Sequence, residues 1–210
     1  MHRTLRTMVA GLAMLAAATL AQAAAISFSG TFVNDNDTRS FQFQTLGGSV
    51  TIETFGYAGG TDANGNVIPR GGFDPIFGVF NFATGALIAI GDKGAVRVDP
   101  LSGAAFDALL TVLLPSGAYR LVIAQFNNFP IGPNLSNGFL QAGNATFTAS
   151  FGCSNGKFCD PVKFNRTGNF DVSVSGVQVI GAAAPEPGSL ALLAVSFSAL
   201  WLARRRRSAT

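Results

Sequence analysis

The chain has 210 residues, a formal charge of +3, 12% charged residues, 19 phenylalanines and 25 glycines. Two of its 14 lysines and arginines lie before residue 24 and four after residue 203, so the stretch 24–184 carries eight basic against ten acidic residues and no basic stripe for nucleic acid. The only histidine is His2, which leaves the rest of the chain without a Ser-His-Asp triad or a Cys-His pair, and Glu53 is the one glutamate of that stretch. Nothing in the sequence pairs two aspartates as a glycosidase would need. The chain reads as a non-enzyme.

Residues 1–23 carry Arg3 and Arg6, an apolar stretch from Met8 to Leu20, and the small-x-small site Ala21-Gln22-Ala23. This is the pattern of a secretory signal peptide cleaved after Ala23, with Ala25 as the alternative site and an uncleaved N-terminal helix as the other reading. From there to residue 184 the chain is long enough for one domain with its own core. Ile26, Phe28, Gly30 and Phe32 alternate with Ser27, Ser29 and Thr31; Phe41 and Phe43 alternate with glutamines; Val50 and Ile52 alternate with Thr51 and Glu53. Period two predicts half-buried strands. Turn signals separate them: Asn34-Asp35-Asn36-Asp37, then Gly47-Gly48, whose spacing predicts a tight hairpin, then Thr84-Gly85 and Pro115-Ser116-Gly117. Segment 104–113 is read as a strand rather than a short helix, and Phe147–Phe151 as another strand. The expected fold is all-β, an antiparallel β-sandwich or jelly roll in a single domain over 24–184. No internal repeat is present. Two long loops, 59–72 and 127–144, are rich in Gly, Asn and Pro and are candidates for function.

Within this body, Cys153 and Cys159 are the only cysteines, with five residues between them. In an exported chain this predicts a disulfide, since two cysteines without histidine make no zinc site and CxxC spacing is absent. No cofactor is required by the sequence. Calcium is the metal whose chemistry fits best, through Asp35 and Asp37 in the first acidic turn and Asp62 in Asp62-Ala63-Asn64-Gly65-Asn66, though no distal glutamate completes an EF-hand and such residues also build ordinary turns.

The C-terminal segment 185–210 opens with Pro185-Glu186-Pro187, continues as an apolar helix over 188–203 and ends in Arg204, Arg205, Arg206 and Arg207. At about 1.5 Å per residue, a helix of ~14 residues (190–203) is about 21 Å long, short of a ~30 Å hydrocarbon core, so it makes a marginal span extended by the arginine stems. The arginines place the tail in the cytoplasm and the body outside. An ordinary C-terminal anchor would look similar. The order of motif, helix and basic end resembles the PEP-CTERM sorting signal of Gram-negative bacteria. That resemblance implies export across the inner membrane through the secretion machinery and transient anchoring by the helix. It further implies processing near Pro185–Pro187 by an exosortase-type enzyme and delivery to the cell surface or extracellular matrix, with links to exopolysaccharide and biofilm.

A second resemblance lies in the body. Gly72-Phe73-Asp74-Pro75, Leu114-Pro115-Ser116-Gly117-Ala118-Tyr119 and Gln125-Phe126-Asn127-Asn128-Phe129 follow the order seen in the FDP-motif domain family found on PEP-CTERM proteins. It marks Phe73, Asp74, Pro75, Tyr119, Phe126 and Asn128 as motif residues, and implies a β-rich exported domain without a defined activity. Asp74 before a proline is either a turn initiator capping local N–H groups or a ligand-binding carboxylate. Tyr119 is either a packed sandwich tyrosine or a stacking platform. Two functions remain open: a structural or adhesive matrix protein, or a carbohydrate-binding module in which Phe126, Phe129 and Phe139 stack on sugar beside Asn127, Asn128 and Asn134.

Overall fold

The structure, a computed structural model, describes residues 24–177; the expected signal peptide with Ala21 and Ala23, and the tail with Pro185, Glu186, Pro187 and Arg204 to Arg207, lie outside the described residues. Ten strands make up most of the fold: β1 (Ala24–Thr31), β2 (Thr38–Thr45), β3 (Gly48–Thr54), β4 (Gly60–Thr61), β5 (Val67–Ile68), β6 (Pro75–Asn81), β7 (Leu87–Asp92), β8 (Leu109–Leu114), β9 (Gly117–Gln125) and β10 (Asn169–Val177). They form two antiparallel four-stranded sheets, ordered β1-β10-β3-β8 and β2-β9-β6-β7, with β4 and β5 as a separate ribbon. The all-β expectation holds.

Side-chain parity explains the sandwich. Val50 and Ile52 of β3, Val172 and Val174 of β10, Phe43 of β2, Leu121 and Ile123 of β9, and Phe77 and Val79 of β6 are all buried in one inter-sheet core. Their alternate neighbours leave that core, as the pleat requires. Phenylalanines close one end: Phe28 stacks on Phe41, and Phe32 on Phe73, at centroid separations of 4.3 and 5.0 Å. Tyr119 packs in the core and its hydroxyl donates to the Pro115 carbonyl at 2.8 Å, the packed-tyrosine reading rather than a platform.

Three local expectations are corrected. Gly47-Gly48 is not a hairpin: β2 and β3 belong to different sheets, and the turn carries the chain across the sandwich. Both glycines have positive φ, and a Cβ on Gly47 would press on the Ser116 nitrogen of the second crossing, between β8 and β9. Of segment 104–113, only the part from Leu109 is strand, preceded by a single Ala108–Gly94 bridge, because Asp107 is drawn inward by hydrogen bonds from Thr54 Oγ1, the Tyr57 amide and the Ala58 amide. Phe147–Phe151 is a 3-10 turn, not a strand, held where Thr148 donates both its N–H and its hydroxyl to buried Asp35.

Both long loops are ordered against the sheets. Ile76, Phe80, Val122 and Ala124 point away from the inter-sheet core yet are buried. The loop 127–144 is pinned to the β6–β7 turn, where the Leu87 N–H donates to the Pro133 carbonyl and the Leu135 N–H to the Gly85 carbonyl. The loop 59–72 carries the β4–β5 ribbon and reaches the outer face of β1 and β10, where the Ala63 amide donates to Ser173 and the Asn64 amide group to Ser27.

Candidate functional site

Parity places Ser27, Ser29 and Thr31 of β1 on the outer face, opposite Ser173, Asp171 and Asn169 of β10. With the β4–β5 loop standing beside them, Ser27, Ser29, Thr31, Asn169 and Asp171 frame an open groove of about 500 Å³. Asp62, Asn66, Ile68 and Pro69 form the loop wall, and Gly30, Gly56 and Phe170 complete the lining. Its lining is mixed: β1 turns Ile26 and Phe28 inward and Ser27, Ser29 and Thr31 outward, while Ile68, Pro69 and Phe170 add apolar surface.

Two carboxylates face it in different states. Asp62 is satisfied by its own loop: Oδ1 accepts from the Asn64 and Asn66 amides, and Oδ2 from Asn66 Nδ2 at 2.9 Å. Burial pushes its carboxyl up, but the bonds from Asn66, Ser27 and Asn64 outweigh this and hold it below the ordinary value. Asp171 is 4% exposed, and its Oδ1 has no hydrogen-bond partner among the described residues. Burial first, then the negative charges of Asp62 and Asp107, raise its carboxyl to about 6. A buried acceptor left unmade costs about 1–3 kcal/mol, so the Asp171 carboxylate is the unspent capacity of this groove.

The motif aspartate is elsewhere. Asp74 precedes β6, is 1% exposed, and neither of its carboxylate oxygens has a hydrogen-bond partner among the described residues. It does not cap the local N–H groups; only its carbonyl is engaged, by the Phe126 amide at 2.8 Å. Burial above all, then Asp92, raises its carboxyl to about 8, with Lys93 opposing. Lys93 sits over the rings of Phe106 and Phe126, its ammonium 5.3 and 4.9 Å from their centroids.

Phe126 and Phe129 meet edge to face at 6.0 Å, and both, like Phe139, are half-buried rather than exposed. Phe126 already carries Lys93 on its face, which corrects the picture of an open aromatic platform. Asn128 is buried and ties its loop down: Oδ1 accepts from the Gln141 amide, and Nδ2 donates to the Asn36 carbonyl. Phe73 lies in the core and Pro75 opens β6 opposite Gln125.

The first acidic turn is occupied by protein donors, distant in sequence for Asp35 and local for Asp37. Asp35 Oδ1 accepts from the Phe158 amide at 2.7 Å, and its Oδ2 from Thr148. Asp37 Oδ2 accepts from the Val33 and Asn34 amides. Asp35 and Asp37 are not brought to Asp62, and no cluster of three or more His, Cys, Asp or Glu suited to a metal occurs among the described residues. Cys153 and Cys159 form the expected disulfide.

One further assembly has no counterpart in the sequence reading. Arg166 is buried at the centre of a polar network. It donates to Asp160 and Asp99 at 2.8 Å each and to the Tyr57 hydroxyl at 2.6 Å, with its guanidinium 3.9 Å from the Tyr57 ring centroid. Arg70 reaches Asp99 from the surface. Burial would raise the Asp99 carboxyl, but Arg70, Arg166 and Ser102 hold it well below the usual carboxylate range. Burial likewise pushes the Tyr57 phenol above its ordinary value. This network joins the first loop, the 99–102 turn and the disulfide-bearing segment, and every member is satisfied within it, so it is architectural.

Comparison with protein-family models and with curated protein sequences gives no match to this chain. The class stated for it is therefore the one its fold defines: an all-β domain of two packed antiparallel sheets with a disulfide-closed loop.

Proposed function

We propose that the chain is an exported, exosortase-processed protein of the cell surface or extracellular matrix, with a structural or adhesive role linked to exopolysaccharide or biofilm. The carrying observation is the tail itself: Pro185-Glu186-Pro187, an apolar stretch and Arg204 to Arg207 in that order, matched by a signal-peptide pattern at residues 1–23. A disulfide and a fully bonded buried ion network suit a domain that works outside the cell. The test is expression of the full chain in a Gram-negative host with and without an exosortase. Shortening near residue 185 and arrival in the surface or matrix fraction should require both the enzyme and the tail. An unprocessed chain in the cytoplasm of the exosortase-bearing host would overturn the proposal.

A second reading, carbohydrate binding, is favoured by the groove over β1 and β10, whose Asp171 carboxylate awaits a donor. Retention of the full chain on the host's exopolysaccharide, with and without EDTA, tests it and reads any calcium requirement at the same time.

A further inference from the structure

We propose that the groove between β1, β10 and the β4–β5 loop is a saccharide subsite in which Asp171 accepts a ligand hydroxyl, and that it takes uncharged or amino sugars in preference to acidic ones. The inference rests on the carbohydrate-binding reading and gives it a site, one that does not involve Phe126 or Phe129.

Four properties of the groove define the ligand. It must donate hydrogen bonds, because neither carboxylate oxygen of Asp171 has a partner among the described residues: Oδ1 is enclosed, and Oδ2 is the oxygen left open to a donor in the groove. It must not be anionic, because Asp62 and Asp171 both line the groove. It must be polyfunctional: the Ser29 hydroxyl and the Asn169 amide nitrogen also have no partner there, whereas Ser27 is bonded to Ser173 and the Thr31 hydroxyl to Asn169 Oδ1. It must also present an apolar face, because Ile68 and Pro69 form part of the wall. A pyranose ring has hydroxyls at its rim and C–H groups on its faces, and about 500 Å³ lies within the range of small-ligand pockets. A hard cation meets fewer of these terms, because both oxygens of Asp62 already accept the donors of its own loop.

The test is an array of neutral, amino and uronic oligosaccharides probed with the full chain and with the D171N, S29A and F126A/F129A variants, each checked for an unchanged circular dichroism spectrum. The wild type should bind members of the neutral or amino set and not the uronic set. D171N should weaken binding by roughly 10- to 100-fold, the loss of a hydrogen bond to a charged acceptor. S29A should weaken it less, and F126A/F129A should bind as the wild type does. Binding lost in F126A/F129A but kept in D171N would overturn the site while leaving the carbohydrate reading standing. No binding to any member of the array would overturn both. A calcium-dependent shift in melting temperature that D171N abolishes, with no glycan bound, would make the groove a cation site and overturn the proposal.

Discussion

Replacing Arg166 by methionine removes a guanidinium that, alone among the described residues, compensates two buried carboxylates at once. The methionine fills much of the stem volume, so the expected loss is electrostatic. Asp160 and Asp99 both have side chains fully buried from solvent in their pairs with Arg166. Removing one partner of such a pair costs about 3–5 kcal/mol. The low end applies here, because each carboxylate retains other donors. Asp160 keeps the Tyr57 hydroxyl and the Val162 and Phe164 amides; Asp99 keeps Arg70 and Ser102. R166M should therefore lose about 3 kcal/mol, which for a domain of this size lowers Tm by roughly 6–12 °C. Urea unfolding at neutral pH, followed by far-ultraviolet circular dichroism, measures it. Adding D160N should restore part of the loss, because the charge left stranded is then gone; a coupling of about 1–2 kcal/mol is expected for groups in direct contact. A single mutant within about 1 kcal/mol of wild type, at unchanged urea dependence, would refute the assignment of this network as a stabilising centre.

Asp74 predicts a pH dependence of stability. Its carboxyl is raised by burial to about 8, so the folded state favours the protonated form. The stability tied to that proton is complete below the unfolded value near 4, falls as pH rises through about 8 and is gone above it. D74N should flatten the urea midpoint between these limits and raise it at pH 8; a slope equal to wild type would assign the effect to other groups. Reducing Cys153–Cys159 should cost about 2 kcal/mol on the chain-entropy account, seen as a lower Tm in dithiothreitol that a C153S/C159S double mutant reproduces without reductant. A Cβ on Gly72 would run into the Asn169 carbonyl and lie 2.8 Å from the Gly56 carbonyl. G72A should destabilise by about 1–3 kcal/mol and speed amide exchange in loop 59–72; unchanged exchange would mean that the loop is held elsewhere.

Strand positions were legible because period two is a local property: Ile26-x-Phe28 and Val50-x-Ile52 state which face is buried without reference to any partner. Pairing was less legible. Gly47-Gly48 has the spacing of a hairpin, and only the destination of the strands distinguishes a turn within one sheet from a passage between two. The groove escaped for the same reason. Ser29 and Asp171 are each ordinary outward residues; they become a site because β1 pairs with β10 and the β4–β5 loop stands over them. The outward serines of β1 were the available signal. The acidic turns misled in the other direction: Asp35 looks like a ligand by composition, yet it accepts from Thr148 and Phe158, more than a hundred residues away along the chain.

The pairing of the first described strand with the last has a consequence for biogenesis. Ser27 and Ser173 bond across 146 positions, and of the long-strand pairs only β6 with β7 joins strands adjacent in the sequence. A sheet with β10 at its interior cannot assemble until nearly the whole body has been made, and loop-closure entropy makes such distant pairings slow. The β2-β9-β6-β7 sheet has all its strands by Gln125, whereas the β1-β10-β3-β8 sheet waits for β10. Under the export proposed above, that delay is an advantage: the β1-β10-β3-β8 sheet closes only after the last strand has emerged from the translocation channel.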